Sequence, residues 1–115
     1  MKVSVDNYHV YILTNKTRTV LYTGVTNDLP QRIIEHYLNR GNTKTFTGRY
    51  HCYLLIYYES FKYINNAIAR EKEIKKYPRQ KKVDLINSQN PLWQSLNDEL
   101  FDSWPPTNMD HRKNM

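Results

Sequence analysis

Two short runs near the N-terminus, residues 8–14 and 20–26, are dominated by aromatic and β-branched residues. Such residues pack well in pleated strands, and a polar stretch lies between the runs, so the pattern predicts a β-hairpin. A register that sets Tyr11 opposite Tyr22 would make the two rings neighbours. The same face would hold Gly24, where the missing side chain leaves room for a close approach.

The next segment has the features of a helix. Asp28 is placed to cap it, with Pro30 in the first turn and Gln31 at the capping-box position. Apolar residues recur behind this start at helical spacing. The same helix carries Arg32 and His36, which are four residues apart and therefore share one face.

Further elements follow from composition and spacing. Residues 39–49 are basic and glycine-containing and predict a loop, whereas residues 51–59 are almost all apolar or aromatic, as in a central strand buried on both faces. Helical patterns cover residues 63–77 and 79–88, and residues 92–101 predict a last short helix. A hairpin, a third strand and several helices predict an α+β fold.

The length of 115 residues suits one domain with one modest core. We assign residues 1–7 to an N-terminal extension, residues 8–103 to the domain and residues 104–115, which are poor in apolar side chains, to a disordered tail. Cys52 is the sole cysteine and lies in an apolar run, which predicts a core position and fits a reducing compartment. No apolar stretch is long enough to span a bilayer, so a cytoplasmic protein is expected.

The charge balance favours a polyanionic partner. Lysine and arginine number 17 against 11 acidic residues, which gives a net charge of +6. Basic residues cluster in the predicted loop, at Lys44 and Arg49, and on a later helix, at Lys72 and Lys75. A charged run is also what a solvated helix face contains, so these four residues are candidate contacts to nucleic acid.

Glu71 departs from the pattern of its own helix. It lies three residues from both Ile68 and Ile74, on the stripe that is otherwise apolar. A buried carboxylate needs compensation, which a divalent cation would provide. An ion pair with Arg32 or another cation would do the same, as would a protonated carboxyl group or a position at the edge of the stripe that reaches solvent.

These motifs together resemble the GIY-YIG nuclease superfamily, which includes the N-terminal nuclease domain of a bacterial excinuclease. The resemblance covers residues 8–91 and is greatest to small stand-alone bacterial members, which share the order of Tyr22-Thr23-Gly24, the Arg- and His-bearing helix and Ala69-Arg70-Glu71. His9-Val10-Tyr11 stands where the name-giving motif has Gly-Ile-Tyr, so an imidazole replaces a hydrogen near the expected site. The resemblance implies a small three-stranded antiparallel sheet flanked by helices.

The chemistry implied by the resemblance is metal-assisted hydrolysis of a phosphodiester. Tyr11 would act as the general base, Arg32 would bind the phosphate, and Glu71 would hold one Mg²⁺ or Mn²⁺ ion. Tyr22 would hydrogen-bond to Tyr11 or to the attacking water. His36 would relay a proton or bind phosphate, and a structural role for this histidine stays open.

The resemblance also adds Asn90 to the four basic residues as a weaker candidate for nucleic-acid binding. DNA is the expected substrate, with RNA left open, in DNA repair or processing. The chain has no room for a separate DNA-binding domain, so cutting would depend on DNA structure, show little sequence preference, or rely on a targeting protein. Two alternatives are a nucleic-acid-binding module without turnover and a protein-interaction domain. The oligomeric state stays open.

Overall fold

The computed structural model describes residues 7–106 of the chain. Eight elements run in the order β1 (Tyr8–Thr14), β2 (Leu21–Thr26), α1 (Leu29–Leu38), α2 (Phe46–Arg49), β3 (Leu54–Phe61), α3 (Ile64–Lys75), α4 (Arg79–Gln89) and α5 (Asn97–Leu100). The strands form one antiparallel sheet with helices packed against it, which confirms the predicted α+β fold. No helix in this part of the chain is long and apolar enough to cross a membrane.

The strand order is β2-β1-β3, so β1 is central and the prediction that the third strand is central is wrong. The outer edge of β3 is covered by the chain that follows α4. The Leu55 N–H donates to Asn97 Oδ1 at 2.8 Å, and the Leu55 carbonyl accepts from the Leu96 N–H at 2.7 Å. This cover explains why an edge strand has the apolar composition of an internal one.

The hairpin register also differs from the one considered above. Tyr11 pairs with Gly24, and Tyr22 pairs with Leu13, so the two tyrosines are diagonal neighbours with ring centroids 6.3 Å apart. A Cβ atom at Gly24 would lie 2.5 Å from both Cζ and the hydroxyl oxygen of Tyr11. The space left by Gly24 is therefore filled by the Tyr11 ring itself.

The pairing of β1 with β3 shifts between Ile12 and Leu13, where Ile56 forms a bulge. The Asn90 amide donates to the Ile56 carbonyl at 3.0 Å and to the Gln94 carbonyl at 2.9 Å. Both hydrogens of this buried amide are thereby used within the protein. Asn90 thus holds the bulge, while its contact with nucleic acid stays a prediction.

Alternation along β1 divides the core into two clusters. On one face Val10 and Ile12 pack with Ala67 and Ile74 of α3 and with α4. On the other face Tyr11 and Leu13 pack with α1, Cys52 and α5; the α1 members are Leu29 and Ile33. Cys52 is buried as predicted, and burial raises the pKa of its thiol to about 11.

Two helices begin with the caps that their sequences supply. The Gln31 N–H donates to Asp28 Oδ1 at 3.2 Å at the start of α1. The Gly48 N–H donates to Thr45 Oγ1 at 3.1 Å in α2, a short helix inside the segment predicted as a loop. α2 packs closely on that segment, because a Cβ atom at Gly48 would lie 2.5 Å from the Asn42 carbonyl oxygen.

The C-terminal part of the described chain packs on the domain. α5 is shorter than the predicted helix at residues 92–101. Trp104, the first residue of the predicted tail, lies edge-on to Tyr37 with ring centroids 5.2 Å apart. The rest of that tail from residue 107 onward, and residues 1–6 of the predicted N-terminal extension, lie outside the described residues.

Candidate active site

A tyrosine and a histidine meet beneath α1. The Tyr11 hydroxyl lies 3.0 Å from Nε2 of His36, and the two side chains are 1% and 4% exposed. β1 fixes the tyrosine, while the buried side of α1 turns His36 toward the sheet. Two groups able to exchange a proton are thus held within hydrogen-bonding distance in a largely dry setting.

The second ring nitrogen of His36 is also engaged. Nδ1 lies 3.1 Å from Oγ1 of Thr47, a buried residue of α2. Burial, and then the charge of Arg32, lowers the pKa of His36 to about 4, with Glu35 opposing the shift. The imidazole is therefore neutral at physiological pH.

Tyr11 is held in its protonated form. Burial raises the pKa of its hydroxyl to about 12, with Tyr22 and Glu71 acting in the same direction and Arg32 against them. At pH 7 a phenol of this pKa is ionised in roughly one molecule in a hundred thousand. A base that acts through Tyr11 therefore needs a group that removes the hydroxyl proton.

Arg32 lies beside this pair with a side chain 42% exposed. Its Nη1 lies 2.9 Å from Oε1 of Glu35, one turn further along α1. Burial disfavours the guanidinium charge, but the contacts with Glu35 and Tyr11 outweigh that effect and raise the pKa of Arg32. The guanidinium is thus charged, oriented and open to an anionic ligand.

The ring of Tyr22 packs against Tyr11 and His36 and completes a cluster of four side chains, Tyr11, Tyr22, Arg32 and His36. The centroid lies 5.6 Å from that of His36 and 6.1 Å from that of Phe46, which is stacked on its outer side. These residues border a cavity of about 650 Å³ that is open to solvent. It is lined mainly by α1 and α2 with Tyr22 from β2, and its polar groups include Arg32, His36 and Thr47.

Glu71 approaches from α3, which packs on the opposite face of the sheet from α1. Its side chain is 15% exposed, and Oε2 lies 3.3 Å from the Lys75 ammonium. The sequence left open how the charge of Glu71 is compensated, and an ion pair with a cation, here Lys75, is one of those alternatives. Glu71 is also near enough to Tyr11 for its charge to raise the pKa of that hydroxyl.

Glu71 is the predicted ligand of a divalent ion. Within residues 7–106 no group of three or more His, Cys, Asp or Glu side chains is arranged around a metal position. Mg²⁺ often binds through one or two carboxylates, completed by water and substrate phosphate. A largely buried Glu71 beside the cluster fits that mode, with the rest of the ligands coming from outside the protein.

The predicted nucleic-acid contacts fall in different surroundings. Lys44 and Arg49 are exposed in and beside α2, and the Arg49 guanidinium donates to the Thr43 carbonyl at 2.9 Å. Lys72 and Lys75 are exposed on α3. Basic side chains therefore lie on the two elements that supply Thr47 and Glu71.

His9 stands in place of the motif glycine, and the structure buries it at 4% exposure. Its ring lies edge-on to Tyr58, with centroids 6.1 Å apart. It is not among the residues that line the cavity beside Arg32 and His36. The imidazole therefore leaves access to that cavity open.

The fold and the cluster agree with one family of small α+β nuclease domains. The chain matches the GIY-YIG catalytic domain over residues 7–84, and it belongs to this family. The Tyr11–His36 pair, Arg32 and Glu71 all fall within the matched range. No solved structure matches the chain at a significant level.

Three relatives show how the chain compares with other small proteins. This chain is 39% identical over 82 residues to a UPF0213 protein from Staphylococcus saprophyticus, and the aligned stretch covers 71% of this chain and 96% of the relative. A UPF0213 protein from Staphylococcus aureus is 38% identical over 81 residues, covering 70% and 95%. One from Haloquadratum walsbyi is 35% identical over 80 residues, covering 70% and 88%. The relatives' names state no substrate or reaction.

Three residues of the site were missed by the sequence analysis. Thr47 and Phe46 come from α2, whose contact with α1 depends on tertiary packing and left no local pattern. Glu35 could have been found, because a carboxylate three residues after Arg32 on a helix is placed to form an ion pair.

Proposed function

We propose that the protein is a metal-dependent endonuclease that hydrolyses phosphodiester bonds in DNA. The cutting is structure-dependent or weakly sequence-specific and serves DNA repair or processing. One observation carries this proposal: a buried tyrosine hydroxyl lies 3.0 Å from a neutral imidazole at the edge of an open cavity that also presents a guanidinium. Membership of a nuclease family supports it.

Tyr11 takes a proton from the attacking water and passes its own proton to Nε2 of His36. This concerted transfer fits the pKa of about 12, at which a preformed phenolate is scarce. It uses the imidazole tautomer whose Nδ1–H donates to Thr47 Oγ1, because that tautomer leaves the Nε2 lone pair free. Thr47 is then a positioning residue that selects the tautomer.

Arg32 binds the phosphate oxygens on which negative charge builds. Glu35 contacts its Nη1, and Arg32 lines the cavity, where the other N–H groups of the fork are proposed to bind the phosphate. Tyr22 packs against the rings of both Tyr11 and His36, which fixes their mutual orientation. Its hydroxyl is proposed to hydrogen-bond to the attacking water.

Glu71 would hold one Mg²⁺ or Mn²⁺ together with water and a phosphate oxygen. The bound ion would supply positive charge that stabilises the developing charge on the phosphate and the leaving oxygen. Lys75 must give up its contact with Glu71 for the carboxylate to serve as a ligand, and its exposed side chain allows this.

Lys44, Arg49 and Lys72 are proposed to contact the DNA backbone near the cut. They are exposed and extend from elements next to the cluster. They provide no readout of base edges, which agrees with weak sequence specificity. A protein partner that brings the nuclease to its target remains part of the proposal.

The high pKa of Tyr11 favours a second candidate, a nucleic-acid-binding module with little or no turnover. In this case Arg32 and the lysines bind phosphate, but the hydroxyl never serves as a base. The two candidates predict the same salt-sensitive binding and differ only in cleavage.

Cleavage of a substrate panel separates the two candidates. Labelled duplex, single-stranded, flap and branched DNA, and RNA, are incubated with Mg²⁺, Mn²⁺ or chelator. The nuclease proposal predicts metal-dependent cutting that Glu71→Gln and Tyr11→Phe each slow by about 100-fold or more. Tyr53→Phe, which changes a tyrosine outside the cluster, should preserve the cutting. Binding without cutting by the unmodified protein on every substrate would establish the binding module instead.

A further inference from the structure

Three aromatic rings form a continuous row that leaves the catalytic cluster. Tyr22 is followed by Phe46, with centroids 6.1 Å apart and planes inclined by 30°, and Phe46 by Tyr50, with centroids 4.9 Å apart. The outer two rings belong to α2 and its C-terminal cap. The row therefore starts at the catalytic cluster and ends on the surface.

The outer rings are unusually open for aromatic side chains. Phe46 is 48% exposed and Tyr50 is 41% exposed. Contact with each other buries only part of each ring, so they contribute less to the core than their size allows. Gly48 packs α2 against the preceding loop and so fixes the backbone that carries both rings.

Basic side chains flank the row. Tyr50 borders a second cavity, of about 410 Å³, together with Lys16 and Arg40. Neither these two residues nor Lys44 and Arg49 form an ion pair with any carboxylate of residues 7–106. The surface around the rings thus keeps its positive charge.

We propose that Phe46 and Tyr50 form a stacking platform for unpaired bases of a DNA strand that enters the catalytic cavity. Phe46 lines the catalytic cavity and Tyr50 lines the basic one, so the pair joins the two. Bases of a duplex have their faces covered by neighbours, whereas unpaired bases stack on aromatic side chains while cations follow the backbone. The platform rests on the proposed function and specifies its substrate as single-stranded DNA or a strand with unpaired bases beside the cut.

The test is binding of a fluorescent single-stranded oligonucleotide and of its duplex form, in chelator, so that no cleavage is required. Phe46→Ala and Tyr50→Ala are each expected to weaken single-strand binding by about 5- to 100-fold and to change duplex binding by less than about twofold. Phe46→Tyr and Tyr50→Phe keep the ring and are expected to bind as the unmodified protein does. Tyr63→Ala removes an aromatic side chain that is more exposed still, at 60%, from the N-cap of α3 and serves as the matched control.

A second readout follows stacking itself. A strand that contains 2-aminopurine is expected to lose fluorescence on binding to the unmodified protein and to keep it with Phe46→Leu, which retains apolar bulk without a ring. This variant also serves if Phe46→Ala fails to fold in a circular dichroism melt. Single-strand affinity and quenching that survive in Phe46→Leu and Tyr50→Ala would overturn the platform.

The outcome is separable from that of the nuclease proposal. Intact cleavage with no effect of the platform variants would overturn the platform alone. Selective loss of single-strand binding in a protein that never cuts would support the platform and overturn the nuclease.

Discussion

The burial of His36 and its neutral charge state are linked. Contact with the Tyr11 hydroxyl requires burial, and burial disfavours the imidazolium form. The neighbouring Arg32 adds to this effect, whereas Glu35 opposes it. A neutral ring is the consequence, and neutrality is what a proton acceptor for Tyr11 needs.

The same burial links stability to pH. Because the pKa of His36 is about 4 in the folded protein and near 6.5 in the unfolded chain, the unfolded state binds more protons between these values. We expect the free energy of unfolding to fall on the order of 2 kcal/mol from this group as the pH drops from 6.5 to 4. Denaturant titrations across this range measure it.

The control for this pH effect is a substitution of His51, which is exposed whereas His36 is buried. His36→Gln should flatten the slope of stability against pH in that window, while His51→Gln, at an exposed position, should leave it unchanged. An equal slope in the unmodified protein and in His36→Gln would show that the His36 imidazole is not the group responsible.

Gly24 sets the position of Tyr11. A methyl group there would lie 2.5 Å from the Tyr11 ring, which is closer than van der Waals contact. Tyr11 is 1% exposed, so its ring cannot move away without displacing its neighbours. We expect Gly24→Ala to destabilise the protein by about 1–3 kcal/mol and to slow cleavage by displacing the hydroxyl from His36. Chemical denaturation and cleavage assays on the variant test both effects, and a fully stable and active variant would contradict this account.

At the scale of elements, the edge of β3 depends on the chain after α4. Asn97 is fully buried, accepts from the Leu55 N–H and donates to the Tyr53 carbonyl at 3.1 Å. This cover lies beyond the residues matched to the family domain, which end at 84. The edge of the sheet is thus protected in this chain by a segment that lies outside the matched range.

Removal of that cover should be costly. We expect Asn97→Ala to lower the free energy of unfolding by about 3 kcal/mol, because the buried Leu55 N–H of β3 and the part-buried Tyr53 carbonyl just before this strand lose their partners. Asn66→Ala, at an exposed position of α3, is the matched control and should change stability little. Thermal melts of the two variants that coincide would contradict the proposed role of Asn97.

The elements also show what the sequence could and could not predict. The start of α1 was predictable because the Asp28 cap and the apolar stripe are local, and Glu71 stood out against its own helix. The place of β3 at the edge of the sheet was not predictable, since an edge strand covered by distant residues has the same apolar composition as a central strand. Thr47 and the hairpin register depend on tertiary packing, and a two-residue difference in pairing keeps every side chain on its face.

At the scale of the whole molecule, the sheet separates two cores, yet the candidate site draws on both sides. Tyr11, Tyr22 and α1 lie on one face, while Glu71 comes from a helix packed on the other. The chain thus places a carboxylate near the cluster without burying it in the same core. We expect the site to be lost as a unit when the domain unfolds.

The net charge of +6 predicts salt-dependent binding of DNA. Affinity should fall linearly with salt on logarithmic axes, and Lys44→Ala or Arg49→Ala should each reduce the slope by about one. Lys81→Ala is the control, because this lysine lies over the Tyr77 ring, 4.2 Å from its centroid, on α4. Equal slopes for all four proteins, measured by fluorescence anisotropy, would show that DNA does not contact Lys44 or Arg49.

The central claim is that Tyr11 and His36 act as one proton-transfer unit, and a double-mutant cycle on single-turnover cleavage tests it most directly. We expect Tyr11→Phe and His36→Gln each to slow cleavage about 100-fold or more, and the double variant to be no slower than the slower single variant. Tyr11→Phe that cuts as fast as the unmodified protein, or two effects that simply multiply, would contradict the claim.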